Sequence, residues 1–395
     1  MKTIPSAPTR ALLPALAITA AVVACALFVN IDLPYLGYAI ASAFLFHVHS
    51  KPGWRQLLLA VAIAVALGAL RLVLIGHPPD ISGFKGAMLG LGSFLVLGVR
   101  AARSSGIERK RLFVLLGPAA GLVFFIFAVQ HALTLSAHLY PKTFDLYLYT
   151  FDSSFGFQPS FFVGRWFRRS AIIRDLGYLT YQTLPLVMAL VYLGYVDPRA
   201  TRPNWLLLRL FFVTGLLGWI FYNFVPATGP VYAFPGAFPA AAPDAAAAPQ
   251  FLQRIFVNPA FPRNAIPSLH VTWVLLLWWS CRWFARWARA ALLAYLLMTL
   301  IATLGTGEHY FVDLLAAVPF ALLVESLCQS SIPLRTRVLA LATGLVLTLL
   351  WLTLVRFGTA FVLRGPFIPW TVAIVFTAAV LLLEPTLHPK RKEGA

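Results

Sequence analysis

Two short histidine-bearing strings stand out in this chain. The first is Pro262-Arg263-Asn264-Ala265-Ile266-Pro267-Ser268-Leu269-His270, immediately before an apolar run. The second is Gly305-Thr306-Gly307-Glu308-His309-Tyr310-Phe311-Val312-Asp313, which opens another. His309 and Asp313 are spaced i, i+4 and share one face if the segment is helical. A carboxylate there can accept a hydrogen bond from one ring nitrogen, which fixes the tautomer and presents the other nitrogen as a lone pair. His270 can then serve as general acid for a leaving group. The guanidinium of Arg263 matches phosphate oxygens bidentately, with Asn264 and Ser268 beside it. Helix starts at Ser268 and Gly307 add backbone donors for the same anion. Nucleophile, acid and anion clamp together describe a phosphoryl-transfer site.

Other polar residues have blander readings. His47, His49, His77, His131, His138 and His388 lack such surroundings and read as core or wetted side chains. Asp145 and Asp152 read as part of a solvated outer loop, or else as partners for a polyol acceptor. Glu308 reads as a helix cap or as an assistant to an acceptor hydroxyl. No carboxylate cluster or cysteine spacing points to a metal, and no cofactor is expected. Val22-Val23-Ala24-Cys25 loosely resembles a lipoprotein cleavage box, but the sequence stays apolar through Val29, as a first membrane helix would.

The elements that must position these residues are membrane helices. Of 395 residues, 60% are hydrophobic and only 11% charged. That excludes a soluble globular fold and allows up to about 12 crossings at roughly 20 residues each. Twelve apolar runs fit: 11–29, 33–49, 56–75, 84–100, 112–134, 176–196, 205–225, 268–285, 289–305, 309–328, 337–358 and 367–384. With the N-terminus in the cytoplasm, 20 of the 31 Lys and Arg residues fall on inner loops. The net charge of +18 therefore reads as topology rather than nucleic-acid binding. Both termini are then cytoplasmic, and both histidine strings lie on the outer face. His270 and His309 begin and end a pair of neighbouring spans, so they can meet at one depth. Outer segment 135–175 holds the basic aromatic stretch Arg165-Trp166-Phe167-Arg168-Arg169, suited to a helix lying at the interface. The Ala240–Ala248 stretch reads as a flexible loop tip.

Pro267-Ser268-Leu269-His270 together with His309-Tyr310-Phe311-Val312-Asp313 resembles the paired signature of the type 2 phosphatidic acid phosphatase superfamily. The resemblance is nearest to the branch of inositol phosphorylceramide and sphingomyelin synthases. Arg263-Asn264 and the segment from Phe144-Asp145 to Gly156-Phe157-Gln158-Pro159-Ser160 fit bacterial members of that branch. The resemblance implies a six-helix catalytic core over 112–328, with no metal. It implies that His309 takes the phosphoryl group as a phosphohistidine, Asp313 orients it, and His270 protonates the leaving oxygen. Leu269 replaces the phosphatases' Gly, and Ala302-Thr303 stand where they have Ser-Arg. Their Lys/Arg motif is not recognisable either. The phosphate clamp then falls to Arg263 first, with Arg254 and Arg174 behind it.

The expected architecture is an all-α polytopic membrane bundle of about 12 transmembrane helices. It divides into an N-terminal extension (1–111), the core (112–328), and a C-terminal pair with a basic tail (329–395). The expected function is an inositolphosphotransferase-like lipid phosphotransferase acting on a lipid phosphate or phospholipid donor and a lipid or polyol alcohol acceptor. A lipid phosphate or polyprenyl phosphate phosphatase would use the same residues. A transporter or non-catalytic membrane protein is the third reading. The abundance of Ala and Arg suggests a bacterial inner membrane, with the site periplasmic or extracellular.

Overall fold

The computed structural model describes residues 34–75, 82–197, 199–243 and 252–388. The first apolar run with Cys25, His77, most of the Ala240–Ala248 tip and the basic tail lie outside these residues. The described chain is almost entirely helical. Its one sheet is a two-stranded antiparallel pair, Lys142–Thr143 with Ile255–Phe256, which staples the two long loops together.

Among the described residues, eight helices are long and apolar enough to cross a membrane. A ninth span results if Ala171–Gln182 and Leu184–Tyr195 count as one broken crossing. Twelve spans are not reached among the described residues. Pro34–His49 has 16 residues and Leu269–Ser280 only 12, short of the roughly 20 that a perpendicular crossing needs. The latter helix closes through a 3-10 turn at Cys281–Trp283, where the apolar run had suggested continuation to 285.

The chain forms two compact units. One comprises residues 1–128 and 182–208, the other 129–181 and 209–395. In the first unit, the Ser82–Arg103 helix presses its backbone onto the Pro34–His49 helix. A Cβ at Gly90 would lie 2.0 Å from the Ile40 carbonyl oxygen, so only glycine permits the approach.

The second unit contains both histidine strings. Its core is aromatic: Phe151 stands edge-on to Trp351, and Phe155 packs edge-on to Phe311 and Trp370. These contacts bind the Leu334–Phe357 and Phe367–Leu383 helices to segment 144–155. The expected interfacial stretch forms the Pro159–Arg169 helix. It buries Ser160, Phe161, Gly164 and Phe167 and exposes Phe162, Trp166, Arg168 and Arg169. Phe167 lies in a notch against Gly177 and Gly305, where added Cβ atoms would come within 2.4 and 2.5 Å of its ring.

Candidate active site

His309 lies in the short connection between the Arg286–Gly305 and Phe311–Cys328 helices and is 1% exposed. Its Nδ1 is 2.9 Å from the carbonyl oxygen of Ala265, and its Nε2 is 3.2 Å from Ser268 Oγ. A carbonyl only accepts, so Nδ1 carries the hydrogen and Nε2 the lone pair. The Ser268 hydroxyl then donates to Nε2. Burial lowers the His309 pKa to about 4, against the upward pull of the Glu308 charge and the Ala265 hydrogen bond. The imidazole is therefore neutral at pH 7, which leaves Nε2 able to attack an electrophile.

The ring N–H of His309, expected to meet the Asp313 carboxylate, is donated instead to the Ala265 carbonyl. The helix begins at Phe311, so His309 precedes it and the i, i+4 spacing is not that of a continuous helix face. Asp313 Oδ2 accepts the Tyr310 amide at 2.7 Å, as a residue in the first turn does in a capping box. The same oxygen stands 3.4 Å from His309 Nδ1, close enough to favour positive charge on the ring. Ser268 donates its amide to the Asp313 carbonyl at 3.1 Å. The two histidine strings are thereby joined by backbone as well as by side chains.

Asp145 and Asp152 do not lie in a solvated loop; both are 0% exposed. Asp152 accepts the amides of Phe311 at 2.7 Å and Val312 at 3.0 Å. It thus caps the helix that starts beside His309, where the helix dipole favours an anion. These amides are consequently taken by a protein carboxylate and cannot bind a substrate anion, as a helix start near Gly307 had implied. Asp145 accepts the amides of Thr228 and Gly229, the Thr228 hydroxyl and the Tyr310 hydroxyl. Burial raises the pKa of both carboxyls, and the hydrogen bonds oppose that rise. Ser160 completes the frame by donating its hydroxyl to the His309 carbonyl at 3.0 Å.

The structure turns Arg263 away from the clamp role. The residue is 0% exposed and donates from Nε to Tyr140 O, from Nη1 to Asn258 O and Phe261 O, and from Nη2 to Val257 O. Four backbone carbonyls occupy the face that would have gripped a phosphate. The arginine instead holds the loop that leads into Ser268. Arg254 lies over the Phe144 ring and Arg174 pairs with Asp175 at an exposed position. Asn264 remains beside the site, with a buried Oδ1 that has no hydrogen-bond partner among the described residues. The start of the Leu269–Ser280 helix follows Ser268 directly, and its Leu269 amide meets the Tyr222 hydroxyl.

His270 sits in that first turn, partly exposed, with its ring stacked on Tyr181 at 3.9 Å between centroids. It follows Ser268 by two residues, and burial lowers its pKa to about 3; an anionic phosphate beside it would favour the protonated form. Glu308 accepts the Tyr232 hydroxyl at 2.6 Å. Burial raises the Glu308 pKa, and burial together with the Glu308 charge raises that of Tyr232. Tyr232 in turn stacks on Phe261 at 4.5 Å. Phe261 also lines a cavity of about 460 Å³ whose polar walls include Gln130, Thr134, His138 and Asn258. Sequence reasoning missed Ala265, because the carbonyl that matters is one every residue carries. It missed Ser160 and Tyr232 because their partners lie far along the chain.

Residues 146–327 match the family described as the PAP2 superfamily. This segment includes both histidine strings, Asp152 and Ser160, and the match supports a phosphatase- or phosphotransferase-like membrane enzyme. No curated protein and no solved structure matches the chain.

Proposed function

We propose that this chain is a lipid phosphotransferase in which His309 carries the phosphoryl group between donor and acceptor. The observation that carries the reading is the His309 ring itself, with Nδ1 held by the Ala265 carbonyl and Nε2 directed to Ser268. In the first step, Nε2 attacks phosphorus. The N–P bond forms, the P–O bond to the leaving group breaks, and His270 gives its proton to the leaving oxygen. Ser268 releases Nε2 and offers its hydroxyl to a phosphoryl oxygen, alongside Asn264 and the first-turn amides of the Leu269–Ser280 helix. Asp313 favours the charge that develops on the ring. In the second step an acceptor hydroxyl attacks phosphorus, its proton passes to His270, and the N–P bond breaks. No metal enters either step.

The donor is a lipid phosphate or phospholipid. The polar cavity walled by Gln130, Thr134, His138 and Asn258 supports a polyhydroxylated acceptor, because amide, hydroxyl and imidazole groups match several hydroxyls at once. The site then opens to the outer face of a bacterial inner membrane. Water as acceptor gives the phosphatase reading with the same residues.

Incubation of purified protein with radiolabelled lipid phosphate, with and without polyol, tests the proposal. Label should enter His309 and then move to the polyol. Free phosphate at one rate regardless of polyol would establish the hydrolase instead. No label on the protein and no turnover would remove both.

A further inference from the structure

The far end of the Phe311–Cys328 helix carries a second polar cluster that phosphoryl transfer does not use. Glu325 lies 14 residues beyond Phe311, about 21 Å along the helix at 1.5 Å per residue. It is 1% exposed, in a protein where a buried carboxylate needs a partner. Two groups from the C-terminal segment reach it. His388 Nε2 is 2.5 Å from Glu325 Oε1 and 3.4 Å from Glu384 Oε1. Arg282 donates to Glu384 from the turn that ends the Leu269–Ser280 helix. One potential ligand atom from each of Glu325, Glu384 and His388 lies within 4.8 Å of the others. Charge balance alone leaves a residue: Arg282 compensates Glu384, but the second oxygen of Glu325, Oε2, is buried with no hydrogen-bond partner among the described residues.

We propose that Glu325, Glu384 and His388 form a binding site for a divalent transition-metal cation, with Zn²⁺ the best match to the donors. One imidazole and two carboxylates are a recurrent donor set for such ions, whereas Mg²⁺ and Ca²⁺ take oxygen alone. Zinc bonds of about 2.0–2.2 Å place tetrahedral ligand atoms roughly 3.3–3.6 Å apart. The His388 to Glu384 separation of 3.4 Å already meets that spacing. Glu325 meets it by moving away from His388, or by presenting the partnerless Oε2. Arg282 supplies the outer hydrogen bond that orients a carboxylate ligand. For Nε2 of His388 to bind the ion it must present its lone pair there, with any ring hydrogen on Nδ1. The ion would tie the end of the Phe367–Leu383 helix to the helix that starts beside His309. It would take no part in chemistry there. The rival arrangement is a proton alone, with imidazolium between two carboxylates.

Full-length protein in detergent is stripped with chelator, exposed to Zn²⁺, passed through a desalting column and measured for bound metal. The wild type should keep about one equivalent more than a Glu325→Gln/His388→Gln double variant. Its thermal midpoint should rise with Zn²⁺ and return with chelator, while that of the double variant stays fixed. If the double variant does not fold, His388→Gln alone, at a partly buried position, should weaken Zn²⁺ binding at least tenfold. His138→Gln, at the other end of the molecule, should bind as wild type does. Equal zinc in wild type and His388→Gln would overturn the proposal, as would a wild-type midpoint indifferent to the ion. None of these readouts depends on catalysis, so they stand apart from the fate of the phosphotransfer reading.

Discussion

The Phe311–Cys328 helix has a polar cluster at each end, and the two are built differently. At its start, side chains grip backbone: Asp152 takes two amides, His309 donates to a carbonyl, and Ser160 donates to another. At its end, side chains meet side chains: Arg282 pairs with Glu384, and His388 meets both Glu384 and Glu325. A backbone carbonyl neither titrates nor rotates away, so it imposes one tautomer and one ring position. A cluster of side chains can gain or lose a proton or an ion with small rotations. The first end therefore has the preorganised geometry that catalysis requires, and the second has the adaptable geometry of an occupancy site.

Substitutions can break that comparison at known points. His309→Ala should reduce turnover of a lipid phosphate by about 10³-fold or more, while Glu325→Gln should leave turnover within a few-fold of wild type. Steady-state rates on both proteins decide it, and parity between them would remove the distinction. Arg263→Met should destabilise the fold by about 3 kcal/mol or more, since it leaves buried carbonyls without donors. Denaturant unfolding measures this, and a normal midpoint with a raised KM would restore the clamp role to Arg263. Asp152→Asn should cost about 1–3 kcal/mol, because one of two helix amides would face an NH₂ group. Its turnover should fall with its stability, which rescue by Asp152→Glu would separate from a purely electrostatic loss. Ser268→Ala should lower kcat about tenfold with little change in thermal midpoint.

The smallest expected effect is on acid stability. His309 titrates near 4 when folded and near 6.5 when unfolded. Its contribution is fully present above pH 6.5 and is lost as pH falls from about 6.5 towards 4, where the unfolded chain binds the extra proton. The raised Asp145 and Asp152 groups act in the opposite sense, binding protons more tightly when folded. The difference in thermal midpoint between wild type and His309→Gln therefore isolates the histidine. It should change between pH 6.5 and 4 and stay flat above that range.

Much of the fold was legible because a membrane span is a property of local composition. The apolar runs at 56–75, 112–134 and 337–358 all became long helices. The run at 268–285 did not: its helix stops at Ser280 and gives way to a 3-10 turn at Cys281–Trp283. The meeting of the two histidine strings was legible too, since consecutive spans bring alternate ends together. The roles of charged residues were not. Arg263, Asp145 and Asp152 look alike as letters whether they face a ligand or the chain's own backbone. Their donors and acceptors are spent on carbonyls and amides that sequence does not distinguish. Glu325 and His388 are 63 residues apart, and nothing local to either announces the other.

The seat of Phe167 against Gly177 and Gly305 has a consequence for height. The Pro159–Arg169 helix is a single stiff rod of 11 residues. It exposes Phe162 and Trp166 at one flank and attaches Ser160 to the His309 carbonyl at the other. Aromatic side chains on such a helix settle at the level of lipid headgroups. The rod would thus act as a depth gauge: at an interface, the level at which Trp166 floats would set how far His309 stands from the plane of the lipid phosphates.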